Sequence, residues 1–136
     1  MTEKNTIVID TSALIKFVHE EKNFKAVEKV LQDIVDKKKN GIISTITVTE
    51  LLYNLEKNQH KLGFSVANYL ENSPLSIQPV TQAIAKQAGY LKIKYRPHLS
   101  TADAVIIATA IESNANEVIT SDKIWAHVPE INAKIV

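Results

Sequence analysis

The stretch Thr6–Ser12, TIVIDTS, is a short apolar run that ends on an acid followed by two hydroxyl residues. Its first four residues, Thr6–Ile9, read as a buried strand, and Thr11 or Ser12 can cap a helix behind it. Asp10 therefore falls where a strand turns into a helix. The chain then repeats this alternation. Phe24, Val27, Leu31, Ile34 and Val35 keep helical spacing, with Asn40-Gly41 as a helix stop. Ile42 to Ile46 reads as a second strand, followed by helices from about Val48 to Lys57 and through Leu62, Val66, Tyr69 and Leu70.

Pro74 breaks the pattern, and Leu75 to Val80 is a third strand that Pro79 pushes toward a sheet edge. Ile84, Ala88, Leu91 and Tyr95 stack on another helix, and Arg96-Pro97-His98 is a loop. The helix Ala102 to Ser113 is apolar nearly all round, which predicts burial. Glu117 to Thr120 and a short Ile135-Val136 complete the strands. Strands separated by helices predict a central parallel sheet with helices on both faces, a three-layer α/β sandwich.

With 136 residues, the chain is expected to form a single domain spanning 1–136. Its 45% hydrophobic and 23% charged residues are those of an ordinary globular protein. The lack of Cys excludes disulfides and thiolate chemistry and suits a cytoplasmic location. No run approaches the ~20 apolar residues that cross a bilayer, so no membrane role is expected. A net charge of +1 neither favours nor excludes a polyanionic partner, so local charge must steer any nucleic acid.

Four acids recur at one edge of the expected sheet. Asp10 ends the first strand, Glu50 follows the second, Asp122 follows a later one, and Asp103 opens the buried helix. Each also has a purely structural use. Thr47–Glu50 and Ser100–Asp103 match capping boxes, and Asp10 or Asp122 could cap a helix directly. Taken singly, capping leads for Glu50 and Asp103 and is even with function for Asp10 and Asp122. Together the balance reverses, because acids crowded on one edge repel unless a cation neutralises them. Oxygen donors alone point to Mg²⁺ or Mn²⁺.

Other chemistries lack their residues. Three isolated Gly provide neither GxGxxG nor a phosphate-binding loop, and no G-x-S-x-G elbow exists. His19, His60, His98 and His127 form no HExxH pair. A receiver-type phosphoacceptor domain would want paired acids at the first strand, and Glu3 is not adjacent to Asp10.

At these four positions the sequence resembles the PIN-domain ribonucleases, in particular the VapC-type toxins of prokaryotic toxin–antitoxin pairs. IVIDTSALIKF resembles the first motif, ITVTELLYNL the second, LSTADAVIIATAI the third and VITSDKIW the fourth. The likeness covers nearly the whole chain, with forty residues from Asp10 to Glu50 and nineteen from Asp103 to Asp122. Asn54 stands where members often carry Gly, and Ile124 where some carry a further acid, so no fifth carboxylate is expected.

The resemblance implies a PIN-like sheet of about five parallel strands and a metal-dependent endoribonuclease. Asp10, Asp103 and Asp122 would hold Mg²⁺ or Mn²⁺, and Glu50 would position water or act as base. Ser12 and Thr120 would orient the carboxylates. The resemblance also implies an RNA substrate, a cognate antitoxin and a homodimer. Lys92, Lys94 and Arg96, with His98, are the candidate RNA-binding residues, ahead of Lys37 to Lys39. A catalytically weak RNA-binding or assembly scaffold is the alternative.

Overall fold

Ile7, Val8 and Ile9 are all fully buried, yet they enter two different apolar clusters. Successive side chains on a strand face opposite ways, so TIVI must be covered on both faces. Burying each such side chain is worth about 1.5–3 kcal/mol, which makes this strand the natural centre of the molecule. The computed structural model describes residues 4–57 and 62–136, and His60 lies outside them.

The elements run β1 (Thr6–Ile9), α1 (Thr11–Val18), α2 (Phe24–Val35), β2 (Asn40–Ser44), α3 (Thr45–Lys57) and α4 (Leu62–Glu71). They continue with β3 (Ser76–Gln78), α5 (Gln82–Lys94), α6 (Thr101–Glu112), β4 (Glu117–Thr120), a 3₁₀ turn (Lys123–His127) and β5 (Ala133–Ile135). The five strands form one sheet in the order β3-β2-β1-β4-β5, with every pairing parallel. On one face, Val8 and Val118 pack under α5 and α6. On the other, Ile7, Ile9, Ile43 and Ile119 pack under side chains of α1 to α4. This is the three-layer sandwich expected from the alternation, and β3 is an edge strand as Pro79 required. Residues Ala104 to Ala110 of α6 are all buried, which explains a helix with almost no polar face.

Several expectations change, beginning with β3, which covers Ser76–Gln78 and stops short of Pro79 where Leu75 to Val80 is expected. Asn40-Gly41 does not stop a helix; it opens β2. Helix α2 ends earlier, where Lys37 takes a left-handed φ of 61° and the Lys38 N–H bonds the Asp33 carbonyl at 2.8 Å. Gly41 is needed for space: a Cβ there would lie 2.5 Å from Ile34 Cδ1 and 2.7 Å from Leu75 Cδ2. Strand β2 also ends at Ser44, not Ile46, because α3 starts at Thr45 with the Ser44 Oγ accepting the Ile46 N–H at 3.2 Å. The run Thr45–Thr49 is β-branched throughout, but burial of Thr47, Leu51 and Leu55 along one helix face overrides its strand propensity. Finally, β5 covers Ala133–Ile135, starting two residues before the Ile135-Val136 expected. Its Ala133 pairs with Val118 and its Lys134 with Ile119 of β4.

Candidate active site

Strand order reverses between β1 and β4, so the crevice beyond their carboxyl ends is left uncovered by crossover helices. Asp10 stands at this point, its N–H bonded to the Ile119 carbonyl at 2.8 Å. It is the residue before α1, in the N-cap position, yet its side chain makes no capping bond. Instead its Oδ2 accepts from Ser12 Oγ at 2.5 Å and from Thr120 Oγ1 at 2.8 Å. The two hydroxyls are themselves fixed by backbone: Ser12 Oγ accepts the Ser121 N–H at 3.0 Å, and Thr120 Oγ1 accepts the Asp122 N–H at 3.0 Å. Each hydroxyl thus has its one proton on the same carboxylate oxygen and its lone pair on the chain beyond β4. Oδ1 of Asp10 has no hydrogen bond among the described residues.

Asp10 is 3% exposed, and burial pushes its carboxyl up to about 6. The Ser12 and Thr120 hydroxyls pull the other way, while the charges of Asp103 and Glu50 raise it further. Asp103 is also raised, first by burial, against its bonds to Ser100, with the Asp122 charge adding to the rise and Lys92 opposing it. Asp10 thus feels Asp103 and Glu50, and Asp103 feels Asp122. Among the described residues no Lys or Arg forms an ion pair with any of the four acids.

The other three acids are held differently. Asp103 belongs to a true capping box: Ser100 Oγ accepts the Asp103 N–H at 3.1 Å, and Asp103 Oδ2 accepts the Ser100 N–H at 3.3 Å. Asp122 caps the 3₁₀ turn by accepting the Ile124 N–H at 3.0 Å. Glu50 caps nothing, since it lies in the second turn of α3, and the Thr47–Glu50 capping box does not form. Its Oε1 accepts from Thr11 Oγ1 at 2.7 Å, which also lies 3.0 Å from Thr47 Oγ1. Thr11 and Thr47 are buried and went unrecognised as site residues. The available signal was Thr11 directly after the first acid and Thr47 one helical turn before Glu50.

The four carboxylates share the region but are not closed into a finished coordination sphere. Among the described residues, no three His, Asp or Glu are arranged to hold an ion as they stand. Like charges favour standing apart, so an ion would have to draw them in. The donor chemistry nonetheless fits a hard divalent cation: all oxygen, net negative, with one acid almost wholly desolvated.

Of the basic candidates, Lys92 donates to Thr101 Oγ1 at 3.0 Å, at the start of α6 beside Asp103. Lys94 points to the Glu130 carboxylate at 3.0 Å. Arg96 is exposed.

No curated protein sequence matches the chain significantly. Several solved structures share its fold. VapC20 of Mycobacterium tuberculosis, described as a sarcin–ricin loop cleaving toxin, is 16% identical with a TM-score of 0.75, over 90% of this chain and 94% of that one. VapBC2 from Rickettsia felis, bound to a DNA fragment from its promoter, is 18% identical with a TM-score of 0.72, over 96% and 98%. A toxin–antitoxin complex from Klebsiella pneumoniae is 24% identical with a TM-score of 0.67, over 92% and 94%. The PIN domain family profile matches residues 7–131, nearly the whole sequence. With that span matched and the sheet order and strand-end acids described above, the chain belongs to the PIN domain family.

Proposed function

We propose that this chain, as one nuclease domain over residues 1–136, is a Mg²⁺- or Mn²⁺-dependent endoribonuclease and the toxin of a toxin–antitoxin pair. The observation that carries this is Asp10: a buried carboxylate, raised to about 6 and repelled by two further acids, with its stabilising hydroxyls all on one oxygen. Such an arrangement costs folding free energy and is retained where the charge has a use. Asp10, Asp103, Asp122 and Glu50 would hold the cation. When bound, the ion supplies Lewis-acid polarisation of a phosphoryl oxygen and shields developing charge.

The remaining work falls to the chain itself. Ser12 and Thr120 fix the rotamer of Asp10. Glu50, steadied by Thr11, would position the attacking water or take its proton. Lys92, near the end of α5 with its ammonium on Thr101 at the start of α6, offers positive charge to an RNA phosphate beside Asp103, and Arg96 extends it. Lys94 contributes less, being paired with Glu130.

An apolar groove of about 430 Å³ between α1–α2 and α3–α4, lined among others by Leu14, Phe17, Leu31, Val66 and Tyr69, supports an antitoxin segment as partner. Exposed Tyr90 and Ile93 on one face of α5 support a homodimer. Among the described residues no helix is long and apolar enough to cross a membrane.

The deciding experiment incubates purified protein with structured and single-stranded RNA in Mg²⁺, Mn²⁺ or EDTA, beside Asp10→Asn. Cleavage is expected with either ion and neither with chelator nor with the variant. Cleavage that survives chelation refutes the mechanism. Cation binding with no cleavage of any RNA replaces it with a PIN-like scaffold.

A further inference from the structure

A cavity of about 280 Å³ opens between the α5–α6 loop and the 3₁₀ turn, lined by Tyr95, His98, Leu99, Ile124, His127 and Val128. Leu99 and Val128 are buried and form its floor, while His98, His127 and Ile124 are exposed at its rim. Its walls are bonded to the acids. Leu99 directly precedes Ser100, which donates its N–H to Asp103. The Ile124 N–H donates to Asp122 Oδ1 at 3.0 Å. Opposite walls are also braced together, because both Lys94 and the Tyr95 hydroxyl bond the Glu130 carboxylate beyond the 3₁₀ turn. The Tyr95 hydroxyl is thereby satisfied, and its ring is held in place as a wall.

We propose that this cavity takes the nucleobase adjoining the scissile phosphate, as a specificity subsite for single-stranded RNA. The proposal rests on the ribonuclease activity proposed above. Three flat rings (Tyr95, His98 and His127) over an aliphatic floor are the surface on which an unpaired base stacks. The volume falls just below the roughly 300 Å³ at which pockets for drug-sized ligands begin, so it suits one ring system and not a helix face. Its attachment to Asp103 and Asp122 places a bound base next to the chemistry.

The test uses a short single-stranded RNA that the wild-type protein cleaves in Mg²⁺, and the same RNA with an abasic ribose on either side of the cleaved bond. Both are assayed with wild type, His98→Ala and His127→Ala, whose side chains are exposed and whose melting temperatures should not move. For wild type, the abasic site on one side should raise KM about tenfold with kcat little changed, the effect of one lost stack. His127→Ala should raise KM on the intact RNA similarly, and the abasic site should then add less than twofold. Effects that simply multiply overturn the proposal, as does wild-type behaviour in both variants, which leaves the cavity to a protein side chain. If the wild type cleaves no RNA, the ribonuclease activity itself falls and the subsite with it; cleavage without coupling removes the subsite alone.

Discussion

Asp10→Asn should make the metal-free protein more stable while abolishing its activity. At pH 7.5 the native carboxyl, raised to about 6, is ionised in a buried position, whereas the unfolded chain ionises it at 3.8 without penalty. At about 1.4 kcal/mol per pH unit, that difference holds about 3 kcal/mol against the folded state. The sign follows from proton counts. Between 3.8 and 6 the native state binds more protons than the unfolded chain, so stability falls as pH rises through that window. Below 3.8 both states are protonated and the penalty vanishes.

An Asn at this position removes the charge and keeps a carbonyl that can accept from both Ser12 and Thr120. Its amide nitrogen then needs an acceptor, which takes back about 1–2 kcal/mol. A net gain of about 1–2 kcal/mol remains, or roughly 4–8 °C in melting temperature for a domain of this size. Thermal melts in EDTA should show that gain at pH 7.5 and its reversal to a small loss at pH 4, where the charge penalty has nearly gone and the cost of the amide remains. Mg²⁺ should raise the melting temperature of the wild type and not of the variant. Its affinity for the wild type should fall about tenfold per unit below pH 6, because proton and cation compete for Asp10. A variant that melts several degrees lower than wild type in EDTA at pH 7.5 would falsify this account and make Asp10 a structural residue.

Glu50→Gln keeps an acceptor for Thr11 and should leave stability within about 1 kcal/mol, while cleavage drops at least 10²-fold if Glu50 serves as base. Thr11→Val, of similar shape, should lower kcat about tenfold with KM little changed; equal loss in both parameters would place Thr11 in substrate binding. Gly41→Ala should destabilise by about 1–3 kcal/mol in denaturant titrations, since its Cβ meets Ile34 and Leu75 inside 2.8 Å, and an unchanged midpoint would mean that α2 can shift freely. Lys37→Gly should stabilise by up to about 1 kcal/mol by relieving the left-handed φ of 61° at the end of α2, with activity unaffected.

Periodicity located the elements whose burial is extreme. Thr6–Ile9 and Glu117–Thr120 appear with the bounds expected, because a strand covered on both faces is a continuous apolar run between polar ends. Helix α6 was visible for the same reason. Elements whose identity depends on partners were less legible. Nothing local tells Thr45–Thr49 to be helical, since the deciding term is what Thr47, Leu51 and Leu55 pack against. The same two-residue shift at β2 turned Glu50 from an apparent cap into a side chain bonded to Thr11.

Within the candidate site, local chemistry was readable from the residues themselves, whereas the long-range part, Thr120 orienting a carboxylate, came only from the family resemblance. The Ser100–Asp103 capping box and the Asp122 cap need only four and three residues of context. For Asp10, the strand-to-helix position suggested a cap, while its carboxylate is directed to Thr120, 110 residues away. Lys94 looked available for RNA on charge alone; Glu130, 36 residues downstream, holds it. Such pairings are decided by the order β3-β2-β1-β4-β5, which no window of sequence contains.

That strand order has a consequence for when the candidate site comes into being. Thr120 reaches Asp10 only after β4 has settled against the first strand made, so the site cannot exist on a chain still being translated through residue 110. Nor can it survive partial unravelling, because losing the β1–β4 pairing separates the acids as it opens the sheet. Whatever the site does in this architecture would be an all-or-none property, present when the entire sheet is closed and gone when any part of its middle lets go.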